Sequence, residues 1–544
     1  MKSTLVSLVF VSLISAAGVF GVSTSIDNLK DDPQAAEDSV DNPAKDPLTN
    51  NESALPDAAT EDQDEAEDIT ALVRDLNSDK YNPPPAAFRP GHVTPLALDA
   101  KALVTKKNGF SVQLPSHSTV VTPAVHQGRV FVSGGFGSRE FYAFDSKTGQ
   151  VAWALSLDDD GPSTAACEGG ICAFNTESCT LFVVQADTGK LLWSHWLGDP
   201  LASAPTIANG KVFTSYPVAG STSVEAIQNM TPQLDKPEGD AKTRPPNMTH
   251  AIAAFDQNTG KILWQRWIDS EVMSAPVAAG SELFATSFGG TVYKFEIDTG
   301  KVISAKRSRA TSAPTVVGND VYYTRRNDGD GEQAAEGLAR ESRDTGSARY
   351  VQAAKKAAPY LDARVQSRSA YWKDGLQLDA DNGFSGGAPT SANPDAAKDN
   401  VGQSSVATMQ AYQGSKVLND GRWNYNSMGD EIVCTSAATG ERRWAMKLEG
   451  DMSVTGGFLA APPAMADNKQ LVIGTLEGEL LIIDPDSGKK LKSYKLDAPL
   501  RAQVVVHEGW IYAGTTDGKL VAINTGDKTL TGWSQWGKNA ARNG

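Results

Sequence analysis

The sequence predicts an all-β protein, an eight-bladed β-propeller of four-stranded antiparallel blades closed by an N-terminal strand. Three observations predict it. One phrase recurs: a short apolar run, an acidic or small residue, Thr-Gly, then three residues and a tryptophan. It reads FYAFDSKTGQVAW (141–153), LFVVQADTGKLLW (181–193), IAAFDQNTGKILW (252–264) and IVCTSAATGERRW (432–444), and weaker copies include VYKFEIDTGKVIS and LLIIDPDSGKKLK. Around each phrase lie further short β-branched or aromatic runs closed by Gly, Asn or Asp, the pattern of strands joined by tight turns. Finally, an orphan strand, GFSVQL (109–114), precedes the first full unit. Self-similarity of this kind marks a repeat architecture.

Taken in chain order, residues 1–22 read as an export signal: Met1-Lys2, an apolar stretch from Leu5 to about Val22, and small residues Ser15-Ala16-Ala17 placed for cleavage. An uncleaved anchor is the open alternative, because the stretch is close to the ~18 residues that begin to span a bilayer. The first cysteine is Cys167, so lipoprotein processing at the apolar run is not expected. Residues 23–100 are rich in Asp, Glu, Asn, Ala and Pro, with few large apolar side chains to offset the entropy of ordering, and read as a disordered linker. Asn82-Pro83-Pro84-Pro85 and Pro90-Gly91 stiffen its end.

The propeller is expected over 105–544. Its third unit is the template: SAPTIANG, KVFTSY, AIAAFDQNTG and KILWQRWID are four strands. Asn209-Gly210 favours a tight hairpin between the first two. Asp256 can accept backbone N–H bonds in the Thr259-Gly260 turn, and Trp264 is a flat filler between neighbouring sheets. Thr-Gly or Ser-Gly turns at Gly149, Gly189, Gly260, Gly300, Gly346, Gly440, Gly488 and Gly526 count eight blades, with Trp153, Trp193, Trp264 and Trp444 as structural wedges. The fifth unit (310–357) is degenerate, and the sixth is expected from about Ser405, with VATMQAYQGSKVL, to Leu448. Pairing of the orphan strand with the last unit would close the ring and remove exposed edges. Insertions at 217–249 and 359–403 break the rhythm and are expected to carry much of the partner surface.

The Asp-x-x-Thr-Gly-x-x-x-Trp phrase resembles the repeat of the pyrroloquinoline-quinone-like (PQQ-like) β-propellers, over roughly 109–544. That superfamily includes quinoprotein alcohol dehydrogenases and the barrel-assembly lipoprotein of Gram-negative outer membranes. The tail GWSQWGKNAARNG (532–544) is similar to the closing segment of exported propellers of this kind. The dehydrogenase branch implies a quinone stacked on Trp, Ca²⁺ held by Glu, Asn and Asp, an Asp base and a vicinal disulfide, but no adjacent cysteine pair exists. Asn175 and Glu177 offer hard oxygen ligands suited to Ca²⁺, yet they fall at a second strand and its turn, where turn hydrogen bonding is expected. Asp158-Asp159-Asp160-Gly161, 327–332 and 379–383 lack the full calcium-loop pattern and read as solvated turns.

Other chemistries find no pattern. His-x-x-x-His, Cys-x-x-Cys, Gly-x-Ser-x-Gly and a phosphate-cradling Gly loop are missing. A net charge of −15 and pI about 5.0 argue against nucleic acid. Cys167 and Cys172 face each other across a hairpin if its turn is Gly169-Gly170; a disulfide and two buried thiols remain open. The expected function is that of an exported, periplasmic or secreted, monomeric, non-enzymatic propeller. It would bind protein partners in the bacterial cell envelope, with no transmembrane barrel, no catalytic or metal residues and no cofactor. The alternatives are a dehydrogenase using PQQ and calcium, and a carbohydrate-binding propeller using aromatics such as Trp423 and Tyr425, which otherwise fill blade six.

Overall fold

Each repeat becomes four antiparallel strands because its apolar runs are short and the residues between them tolerate left-handed backbone. The computed structural model describes residues 66–76, 90–135, 137–176, 180–197, 203–218, 248–287, 289–310, 312–326, 335–356, 417–428, 430–451, 459–466, 470–530 and 537–543. Among them are eight sheets, and each of the eight counted glycines sits in its turn at φ between +64° and +77°. Blade 1 starts at Ala124, blade 2 at Ala166, blade 3 at Thr206, blade 4 at Val277, blade 5 at Thr315, blade 6 at Val417, blade 7 at Ala464 and blade 8 at Val505. The first strands neighbour one another around the axis, and the fourth strands face outward.

Closure is by the N-terminal strand. Gly109–Gln113 pairs antiparallel with Lys519–Asn524, so the last blade takes its fourth strand from the start of the propeller. Blade 6 is described from Val417 on. Its first hairpin is Val417–Asn419 with Trp423–Met428, turned at Asp420-Gly421, and 405–416 lie outside the described residues. Asp420 accepts from the Arg422 and Trp423 amides, which fixes that turn. Residues 219–247 connect the second and third strands of blade 3, and 357–416 connect blades 5 and 6. The bulk of both insertions, like residues 1–22 where a signal is expected, is thus outside the described residues.

In blades 1–4, 6 and 7 the register slips once between the third and fourth strands, beside the turn. In blade 3, Phe255 opposes Ile262 while Ala254 opposes Trp264, leaving Leu263 as the bulged residue. A bulge re-aims the side chains that follow it. Here it turns Trp264 inward and leaves Leu263 exposed, as it leaves Leu192, Ile303 and Leu491 exposed in blades 2, 4 and 7.

The stretch read as a linker to residue 100 differs from that expectation. Glu67–Asp68 pairs with the outer strand of blade 4, Asp75 bridges to Arg266 of blade 3, and the Trp267 amide donates to the Arg74 carbonyl. Ile69, Val73 and Leu76 are at most 4% exposed in the core shared by blades 2–4. Further on, the Gly91 carbonyl accepts from Ser194 of blade 2, Val93–Pro95 pairs with the outer strand of blade 1, and Leu103–Lys106 adds a fifth strand to blade 8. The order is blade 4, 3, 2, 1, 8: these segments run as a belt around the outer edges. Burial of the three apolar side chains and pairing of edge backbone are what order them.

Candidate functional site

The recurring phrase builds a seam. In blade 3, Asp256 Oδ1 accepts from the Asn258 amide at 3.1 Å, the Thr259 amide at 2.8 Å and the Thr259 hydroxyl at 2.8 Å, and the Gly260 amide donates to the Asp256 carbonyl at 2.9 Å. The Thr259 hydroxyl, first among these donors, holds the Asp256 carboxyl below its ordinary pKa. Gly260 is glycine for two reasons: its φ is +70°, and a Cβ there would lie 2.7 Å from Trp193 of the preceding blade. Each wedge tryptophan covers the next blade's turn glycine, Trp153 on Gly189, Trp193 on Gly260, Trp264 on Gly300 and Trp444 on Gly488.

The indole N–H completes the seam. It donates to the carbonyl three residues before that glycine: Trp153 to Ala186 at 3.0 Å, Trp193 to Gln257 at 2.9 Å, Trp264 to Ile297 at 3.1 Å and Trp444 to Pro485 at 2.7 Å. Phe110 of the closing strand takes the wedge position over Gly149. The phrase is therefore a turn and a wedge, and its polar atoms are used internally.

Cys167 and Cys172 are directly opposed across the first hairpin of blade 2 and joined in a disulfide, with Gly169 and Gly170 both at positive φ. Cys434 is buried and free, and burial pushes its thiol up to about 12. Cys179 and Glu177 lie outside the described residues.

Asn175 is not confined to its own turn. Its Nδ2 donates to the Ser203 carbonyl and Thr214 Oγ1, both at 2.7 Å, tying blade 2 to blade 3. Nor is Asp159 solvated turn chemistry: its Oδ2 accepts from Thr176 at 2.6 Å and Thr180 at 2.5 Å. The loops at 327–332 and 379–383 lie outside the described residues. Among the described residues no three His, Cys, Asp or Glu converge as a metal site. Tyr425 is buried in blade 6, and half-buried Trp423 lies under the Arg443 guanidinium, 4.5 Å from the ring centroid.

At the axis lies the C-terminal tail, which sequence reasoning placed only as a closing segment. The Ala540, Ala541 and Arg542 carbonyls accept from Cys167, Ile207 and Ala278, on the first strands of blades 2, 3 and 4. The buried Arg542 guanidinium donates to the carbonyls of Pro205 and Ala165. Strands that line the channel thus spend hydrogen-bonding groups on the chain's own end.

The outer edges divide. Blades 1, 4 and 8 carry a fifth strand from the belt, whereas the other five sheets end at their own fourth strands among the described residues. Blades 2 and 3 still meet the belt at Gly91 and at Arg74-Asp75, while Arg442–Lys447 of blade 6 and Lys490–Lys495 of blade 7 do not. Both are largely exposed and basic, with Arg442, Arg443 and Lys447 on one and Lys490, Lys492 and Lys495 on the other. Arg443 pairs with Asp486 at 2.9 Å and Lys495 donates to the Glu477 carbonyl at 2.6 Å. An open strand edge can accept another extended chain, and cationic side chains select what binds.

Residues 140–231, 249–394 and 428–542 match the family described as outer membrane protein assembly factor BamB. A BamB of Shewanella oneidensis is 23% identical over 240 residues, 37% of this chain and 60% of that protein. The chain thus spans less than two thirds of that relative. The quinoprotein alcohol dehydrogenase PedH of Pseudomonas putida is 30% identical over 125 residues, 20% of this chain and 21% of that one. The crystal structure of BamB from Moraxella catarrhalis superposes with a TM-score of 0.46 at 15% identity, covering 79% of this chain and 97% of that chain.

Proposed function

Starting from a chain that belongs to the PQQ-like family of outer membrane protein assembly factor BamB, we propose an exported, non-enzymatic propeller that acts as a binding and assembly scaffold in the bacterial cell envelope. The observation that carries the reading is the contrast at the rim: among the described residues the outer strands of blades 6 and 7 end their sheets and are exposed and basic, where the belt covers outer edges of other blades. Such edges suit partner proteins that add an extended, acidic segment, the backbone supplying affinity and the cations selectivity. The insertions at 217–249 and 359–403 belong to the same proposal as further partner surface. Arg443→Glu with Lys492→Glu should abolish capture of a subset of the partners that the unaltered chain retains from envelope extracts. Deleting 219–247 or 357–416 should remove others. An unchanged partner set with the double variant contradicts the rim assignment, and an unchanged set with both deletions contradicts the loop assignment.

A dehydrogenase is the second reading, favoured by the stretch similar to PedH. Titration with PQQ and Ca²⁺, followed by dye-reduction assays with alcohols and sugars, tests it. Dye reduction that requires both would displace the scaffold reading.

A further inference from the structure

At the seam between blades 4 and 5 the wedge is missing, and the space beside it is open. Four residues after Gly300, where blades 1, 2, 3 and 6 have tryptophan, stands Ser304. The seam between blades 4 and 5 consequently holds a cavity of about 170 Å³, walled by Phe284, Val292 and Val321 and ended by Lys294, Lys306 and Glu341. A cavity of ~150 Å³ accepts a benzene-sized ring.

The seam keeps the acceptor an indole N–H would need, while the Lys306 ammonium stands over Gly346, where a tryptophan ring stands over Gly189, Gly260, Gly300 and Gly488. Counting three residues back from Gly346 gives the Arg343 carbonyl, the counterpart of the four carbonyls that accept an indole N–H elsewhere. Here Lys294 Nζ donates to it at 2.8 Å, and Lys306 Nζ donates to the Gly346 carbonyl. A carbonyl oxygen has a second lone pair, so the Arg343 position can still receive an N–H. The ammonium groups of Lys294 and Lys306, paired with Glu282 at 2.7 Å and Glu341 at 3.9 Å, also line the space, and a cation at the wall attracts an electron-rich ring face. Belt residues Glu67–Asp68 pair at Lys306 and Arg307, beyond the exposed Ile303 that borders the opening.

We propose that the notch between blades 4 and 5 is a binding site for one planar, electron-rich aromatic ring of indole size bearing an N–H donor. The ring occupies the space beside Ser304, whose counterparts Trp153, Trp193, Trp264 and Trp444 fill four other seams. It comes either as a free small molecule or as a tryptophan side chain of a polypeptide.

Calorimetric titration of the full chain with indole, and separately with the tripeptides Gly-Trp-Gly and Gly-Ala-Gly, tests this. Indole should bind with one-to-one stoichiometry, and Ser304→Trp should weaken that binding at least ~10-fold, about 1.4 kcal/mol, by filling the space from within. Ser304→Leu, a smaller filling, should weaken it too and serves if the tryptophan variant does not fold. Binding of Gly-Trp-Gly but not Gly-Ala-Gly supports the site with a polypeptide source; binding of indole alone supports it with a small-molecule source. No indole binding to the unaltered chain, or equal binding to the folded Ser304 variants, overturns the proposal.

Discussion

Blades 8 and 1–4 form one arc of the ring and blades 5–7 the other, and the two are sealed differently. Along the first arc the belt covers outer edges, and Phe110, Trp153, Trp193 and Trp264 fill four consecutive seams. Along the second, the outer strands of blades 6 and 7 end their sheets, and the seam residues vary: Ser304 enters the arc, Trp444 sits between blades 6 and 7, and Lys492 leaves it. Lys492 does not act as a wedge. Its Nζ lies 4.7 Å from the Tyr494 ring centroid, and a Cβ at Gly526, the next turn, would meet nothing within 4 Å. One repeat can therefore build either a closed structural rim or an open one, depending on what occupies two positions, the wedge and the strand beyond the fourth. Closure removes pairing groups from solvent; an open rim keeps them for another chain.

The largest expected effect separates the arcs at the wedge position. Trp264→Ala should cost about 3–5 kcal/mol, the range for emptying a large aromatic site, whereas Lys492→Ala should stay within about 0.5 kcal/mol as a surface change. Chemical denaturation of both variants checks this, and equal losses would erase the distinction between filled and unfilled seams. Next in size is the belt. Leu76→Ala, at a fully buried side chain, should cost about 2–5 kcal/mol, while Leu491→Ala, 55% exposed on the rim of blade 7, should be near neutral. A neutral Leu76→Ala would mean that the belt does not stabilise the arc it covers.

The smallest effect is electrostatic and shared by the arcs. Asp256 in blade 3 and Asp484 in blade 7 are both held below the ordinary carboxylate pKa, first by a hydroxyl, Thr259 and Ser487 respectively. Because the folded value lies below the unfolded one, this stabilisation is full above the unfolded pKa and is lost as pH falls through the folded value. Asp256→Ala should slightly lower the melting temperature at neutral pH and flatten its decline in acid. A variant that melts with an unchanged acid profile would remove Asp256 from that linkage.

What the sequence revealed follows the same division. Turn glycines, tryptophan wedges and the closing strand were legible because each demands a particular residue: a left-handed φ, a flat filler, or a strand with no local partner. The belt was not. Ile69, Val73 and Leu76 are three apolar side chains in an acidic setting, and only their spacing of four and three, which puts them all in the core, hints at a buried segment. The axial role of Ala540–Arg542 left no periodic signal, since it works through backbone carbonyls. Asp159 and Asn175 looked like local turn residues because their partners are distant in sequence. Ser304 was visible as a weak copy of the phrase, but that its small side chain leaves a cavity follows only from what surrounds it.

Hydrogen–deuterium exchange of the intact protein, resolved by peptide, tests the contrast between the arcs most directly. Opening free energies follow local pairing and burial. Outer-strand peptides covering Val151–Leu157, Ile262–Ile268 and Val302–Arg307 should exchange markedly more slowly than those covering Arg442–Lys447 and Lys490–Lys495. Equal protection along all five strands would contradict a rim closed on one side and open on the other.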